Sequence, residues 1–110
     1  MTEAEIQKQV FAELRARAMP GVFCFPVANN RKGRTTAGFV AGIPDVWCIR
    51  DGRTFALELK TTIGVTSPEQ DEVIEKIRAA GAGAGVAKGI RHALMILEKE
   101  GYLRPERVEA

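Results

Sequence analysis

Two short β-prone runs joined by Asp51-Gly52 constrain this chain more than any other feature. Residues 46–50 and 54–59 are rich in β-branched, aromatic and aliphatic side chains. Asp-Gly between such runs is a strong signal for a two-residue hairpin turn. So short a loop leaves little freedom of register. Arg50 pairs with Arg53, and counting outward puts Asp45 opposite Glu58. Lys60 shares their face by period-two alternation. Opposed residues have Cβ atoms roughly 4.5–5.5 Å apart, and like charges at that spacing destabilise a sheet. A bound cation removes the conflict, so the spacing predicts a divalent-metal site.

Other residues narrow the choice of metal. His92 is the single histidine, and the spacing of Cys24 and Cys48 matches no zinc pattern. Both cysteines fall inside predicted strands among apolar neighbours and read as buried free thiols. A metal must therefore be held mainly by oxygen, which favours Mg²⁺ or Mn²⁺ over zinc. At 110 residues the chain is long enough for one core and too short for two, so residues 1–110 read as a single domain. No apolar run is long enough to cross a bilayer, and Met1-Thr2-Glu3-Ala4-Glu5 lacks the apolar stretch of a signal peptide. A cytoplasmic protein without a membrane role is the expectation.

The formal net charge is only +2, so overall charge does not mark a nucleic-acid binder. Its local distribution says more. Arg31, Lys32 and Arg34 crowd one loop, and Lys88 and Arg91 flank a strand-to-helix junction, where they can face phosphate or simply be solvated.

Periodicity orders the elements. Ile6, Val10, Phe11, Leu14 and Ala18 predict a helix over 3–18 with Thr2 as N-cap, stopped by Met19-Pro20-Gly21. Residues 22–27 read as a first strand with Pro26 suited to an edge. Residues 28–42 form a long irregular stretch of the kind that is often functional. After the hairpin comes a turn over 61–65. Ser67, Pro68 and Gln70 then open a helix to about Ala80 as a capping box. A small-residue strand over 84–88 and a helix over 90–100 follow. Both hairpin faces are apolar: Val46, Cys48, Leu57 and Leu59 on one, Trp47, Ile49 and Ala56 on the other. A sheet covered on both sides is implied. The expectation is an α/β fold with an α-β-β-β-α-β core, a mixed central sheet flanked by helices, and a polar tail over about 102–110 in which Tyr102 and Leu103 can dock or, with the first helix, offer a contact surface to a second copy.

Pro44-Asp45 followed by Glu58-Leu59-Lys60 resembles the PD-(D/E)XK signature of a nuclease superfamily. Gly42-Ile43-Pro44-Asp45, Ala56-Leu57-Glu58-Leu59-Lys60, Ser67-x-x-Gln70 and Ala80-Gly81 resemble more specifically the VRR-NUC family, in its short stand-alone form from phages and bacteria. The likeness covers about residues 3–101. It implies a single-domain restriction-endonuclease-like fold and a metal-dependent endonuclease that cuts DNA phosphodiester bonds, leaving a 5′-phosphate. It further implies preference for branched DNA such as Holliday junctions, a homodimer, and work in the cytoplasm of a bacterium or phage-infected cell. By the matched motif, Asp45, Glu58 and the backbone carbonyl of Leu59 are metal ligands, with Glu3 on the first helix as a further acid. Lys60 orients or deprotonates the attacking water, and Gln70 matches the family's glutamine near the site. Residues 27–33 depart from the family's usual loop after the first strand, so no role is carried over to them.

Plainer explanations exist for each residue. Asp45 can be a strand-start residue after proline, and Glu58 and Lys60 can lie on a solvated edge; yet Ala56, Leu57 and Leu59 around them are too apolar for an exposed edge. A capping box alone accounts for Ser67 and Gln70, and Trp47 can be a buried aromatic. The competing function is a non-catalytic scaffold that binds DNA junctions with the same fold. A nucleotide-binding protein would need a Gly-rich loop between a strand and a helix, and the glycines of 81–85 instead follow a helix.

Overall fold

A computed structural model describes residues 1–27 and 40–106. The first helix, α1 (Glu3–Arg17), starts where Thr2 and Glu5 cap each other: Glu5 N–H donates to the Thr2 hydroxyl at 3.1 Å, and Thr2 N–H donates to the Glu5 carboxylate at 2.7 Å. Half of its exposed side chains are charged, and it is held by one buried stripe of Ile6, Val10 and Leu14. Each such side chain contributes roughly 1.5–3 kcal/mol on burial, enough to dock a helix that would be marginal alone.

Three strands follow, β1 (Phe23–Pro26), β2 (Val46–Arg50) and β3 (Arg53–Lys60). The hairpin has the expected register, with Arg50 facing Arg53 and Val46 facing Leu57. Asp51 and Gly52 take φ of 51° and 77°, the left-handed pair that a twisted two-residue hairpin needs. Helix α2 (Pro68–Ala79) then carries the chain over one face to β4 (Gly83–Lys88), and α3 (Ile90–Lys99) returns over the other. The sheet order is β1-β2-β3-β4, antiparallel except for the parallel β3/β4 pair. At one end of that pair a side chain at Gly83 would put its Cβ 2.6 Å from the Phe55 ring. Glycine there lets the ring lie across the neighbouring strand.

The two faces divide as expected. Val46, Cys48, Leu57 and Leu59 meet α1 and α3 through Ile6, Val10, Leu14, Ala93 and Leu97. Ala56 meets α2 on the opposite face, through Ile74. No helix among the described residues is long and apolar enough to cross a membrane.

The packed chain runs further than the expected core. Tyr102 and Leu103 are each 1% exposed. The Tyr102 ring stacks on Phe55 with centroids 6.0 Å apart, and its hydroxyl donates to the Arg53 carbonyl at 3.2 Å. Leu103 bridges to Ala18, and Arg104 N–H donates to the Arg17 carbonyl at 2.8 Å. The polar tail therefore begins after these residues. Aromatic and aliphatic side chains beside the open end of the core bury themselves despite their polar sequence neighbours.

Candidate active site

Pro44 and Asp45 lead into β2. Arg50 and Arg53 flank a two-residue turn and form a hydrogen-bonded pair, so by alternation Asp45 and Glu58 form a non-hydrogen-bonded one, the kind whose side chains stand closer. The next position opposes Pro44 to Leu59, and proline has no N–H to give. Leu59 N–H donates instead to Asp45 Oδ2 at 2.9 Å. The Leu59 carbonyl points to the same side of its strand as that N–H, toward the Pro44-Asp45 segment, and gains no donor from Pro44. The Pro-Asp order thus fixes one carboxylate and denies one neighbouring carbonyl a ladder donor.

Glu58 is 2% exposed. Its Oε2 accepts from Gln70 Nε2 at 3.0 Å and lies 3.7 Å from Lys60 Nζ. Its Oε1 is buried with no hydrogen-bond partner. Burial, and after it the negative charge of Asp45, raises the Glu58 carboxyl from 4.5 to about 8, with Lys60 offsetting part of the rise. Ionising this carboxyl without a cation would leave a charged oxygen buried and unpartnered, which is costly.

Gln70 bonds in two directions. Its Oε1 accepts from Ser67 N–H at 2.9 Å, closing the capping box of α2, while its NH₂ reaches Glu58. Glu3, on the first turn of α1, comes within 3.9 Å of Lys60 Nζ. Glu5 is occupied with the cap at Thr2. Asp45, Glu58, Lys60, Gln70 and Glu3 therefore gather at one end of β3, drawn from four separate elements or their lead-ins.

Lys88 pairs with Lys60 across the parallel strands and shares its face; it is exposed, and its backbone N–H donates to His92 Nδ1 at 2.9 Å. Arg91 is also exposed. Arg31, Lys32 and Arg34 lie outside the described residues. Trp47, on the Asp45 face, is half-buried, and its indole N–H donates to the Pro44 carbonyl at 3.0 Å. Cys24 and Cys48 face each other across β1 and β2 as free thiols. Burial pushes both thiols up, Cys48 to about 12.

Gly42 has a structural task beyond its place in the motif. Its φ is 87°, and a Cβ there would lie 2.7 Å from the Glu69 carbonyl and 2.9 Å from the Gln70 nitrogen. The chain leading to Pro44-Asp45 therefore presses directly on the turn of α2 that presents Gln70. Glycine just before Pro-Asp was the available signal, but the contact is tertiary.

The donor set fits a hard divalent cation. An ion on this pair would remove both the like-charge conflict and the orphaned Glu58 oxygen. Among the described residues no group of three His, Cys, Asp or Glu is arranged to hold a metal, and Glu3 instead reaches Lys60. Asp45, Glu58 and the Leu59 carbonyl could supply the protein's oxygen donors to such an ion, of the type Mg²⁺ favours.

No protein-family model matches the sequence, and no curated protein matches it. Solved structures do. A VRR_NUC domain protein superposes with a TM-score of 0.70 at 26% identity, covering 89% of this chain and 86% of its own. A second VRR_NUC domain gives 0.64 at 22% identity, covering 87% and 94%. Hjc of Archaeoglobus fulgidus, a Holliday junction resolvase from an archaeal hyperthermophile, gives 0.53 at 22%, covering 78% and 67%. The likeness to the VRR-NUC family and the PD-(D/E)XK superfamily, carried in sequence by Pro44-Asp45 and Glu58-Leu59-Lys60, therefore extends to the three-dimensional fold.

Proposed function

We propose that the chain is a divalent-metal-dependent DNA endonuclease that hydrolyses phosphodiester bonds and selects branched DNA, Holliday junctions included. The observation that carries this reading is the Asp45/Glu58 pair, with Glu58 gripped through one oxygen by Gln70 and Lys60 and left without a partner at the other. Such an arrangement is unfavourable as it stands and becomes favourable around a cation. The VRR_NUC and junction-resolvase fold relatives support the same chemistry.

Asp45, Glu58 and the Leu59 carbonyl would hold Mg²⁺ or Mn²⁺. When bound, the ion supplies Lewis acidity at the phosphoryl oxygen and acidifies a water for attack. The chain's own groups supply the rest. Gln70 locks the Glu58 side chain, so the carboxylate needs no reorganisation when substrate arrives. Lys60, tethered between Glu58 and Glu3, has an ammonium free to donate to the attacking water or to a non-bridging phosphate oxygen. Asp45 is oriented by Leu59 N–H. Lys88, on the same face, meets a backbone phosphate, as do Arg31, Lys32 and Arg34 by their clustering in the sequence, and cleavage leaves a 5′-phosphate.

The working form is a homodimer in the cytoplasm of a bacterial or phage-infected cell. Its interface is the outer part of the α2-side sheet face, where Phe23 is 64% exposed and Phe25 stacks on Trp47 with centroids 6.5 Å apart. That row of uncharged side chains suits a second copy of itself better than a phosphate backbone.

Incubating the chain with a synthetic four-way junction in chelator, Mg²⁺ or Mn²⁺ tests the reading. Cutting only with metal, lost in folded Lys60→Ala by roughly a hundred-fold or more, is expected. Junction binding without cutting in either metal would favour the scaffold and contradict the nuclease.

A further inference from the structure

The turn between β3 and α2 carries two side chains that the hydrolytic scheme does not use. Ile63 is 89% exposed and Val65 75% exposed. Single exposed apolar residues need no explanation, but these two flank one glycine on a braced turn just beyond Lys60. Gly64 N–H donates to the Thr61 carbonyl at 3.0 Å, and Gly89 N–H donates to the Lys60 carbonyl at 2.8 Å. A Cβ at Gly64 would come 3.1 Å from Thr61 Oγ1, and one at Gly89 2.9 Å from Thr62 Cγ2. Thr66 hydroxyl closes the far side on Asp71 at 2.5 Å. The backbone beneath is packed down while Ile63 and Val65 stand in water. That is a preorganised apolar protrusion.

Its surroundings identify what it fits. Lys60 lies immediately before it, exposed Lys88 pairs with Lys60 on the same face, and the Ser67/Gln70 cap follows. An occupant that brings negative charge to exposed Lys88 and, beside it, a flat apolar surface fits this turn. DNA does so wherever its base stack is interrupted; apolar wedges of this kind insert between base steps. In an intact duplex the base faces are covered by their neighbours, whereas at a branch point the last pair of an arm can be uncovered.

We propose that Ile63 and Val65 form a wedge that packs on the open face of the base pair at a DNA branch, and so selects which phosphate reaches Asp45, Glu58 and Lys60. The proposal rests on the nuclease reading and deepens it, by naming what makes a branch different from a duplex. The chain from Lys60 to Ile63 spans at most about 11 Å, or about three base steps at roughly 3.4 Å along a strand. Cuts are therefore expected within about three nucleotides of the branch point.

The test uses the full chain and an Ile63→Ser/Val65→Ser double variant, which retains the wild-type melting midpoint because both side chains are exposed. The probe is a four-way junction with a fluorescent adenine analogue in the branch-point pair, read for fluorescence without metal and for cut positions with Mn²⁺. The wild type is expected to raise the fluorescence and cut at fixed positions. The variant is expected to give no rise, to cut roughly ten-fold more slowly, and to scatter its cuts. Wild-type fluorescence and cut positions in the variant would overturn the wedge, as would a wild type that gives no rise. So would a change in the variant's oligomeric mass, which would make the turn a contact between copies. A wild type that raises fluorescence, with the rise lost in the variant, yet cuts no DNA in Mn²⁺ would uphold the wedge and remove the nuclease reading.

Discussion

Glu58 concentrates the energetic problem of the site. Its carboxyl, raised to about 8 by burial and then by Asp45, holds a proton at neutral pH in metal-free protein that the unfolded chain has lost. The folded state binds more protons between the two values, so this contribution to stability is full below about 4.5 and fades as pH rises toward about 8. Metal-free protein is therefore expected to melt at progressively lower temperature across that window, and Mg²⁺ at the alkaline end to restore the midpoint; a flat or rising profile in chelator would contradict it. Pro44 is the second residue at this scale. Pro44→Ala supplies an N–H opposite the Leu59 carbonyl and is expected to weaken Mn²⁺ binding roughly ten-fold, measured by calorimetry and compared with the change in melting. Asp45, Glu58 and Lys60 were legible in the sequence because a two-residue turn sets register by counting. The orphaned oxygen and the two-ended bond of Gln70 were not, since both depend on how α2 sits over the sheet.

Elements meet the site through the contact between the Gly42 lead-in and α2. Gly42→Ala puts a Cβ against backbone at 2.7 Å in a left-handed conformation, whereas a Cβ at Gly52, φ 77°, meets nothing within 4 Å. Both changes are expected to cost stability by about 1–3 kcal/mol through backbone strain. Only Gly42→Ala should also displace Gln70 from Glu58 and lower the cleavage rate at saturating DNA. Equal residual activity in the two variants, matched for stability, would deny the lead-in its positioning role. The elements themselves were largely legible: capped helices, an Asp-Gly turn and alternating strands announce themselves locally. The contact at Gly42 and the docking of Tyr102 on Phe55 did not, because each is decided by a distant partner.

At the scale of the whole molecule, the sequence suggested Tyr102, Leu103 and α1 as a surface for a second copy. Tyr102 and Leu103 are instead interior, against Phe55 and Ala18, and the homodimer proposed above uses the Phe23, Phe25 and Trp47 face. Phe23→Asp is expected to halve the mass seen by light scattering; an unchanged mass would place the interface elsewhere. The central claim concerns one ion and two carboxylates. Its most direct test is the rate of four-way-junction cleavage as a function of Mn²⁺ concentration, for the wild type and for Glu58→Gln. The wild type should show saturable, metal-dependent cutting, and the folded variant none at any Mn²⁺ concentration. Cutting by Glu58→Gln with the wild type's metal dependence would contradict the account.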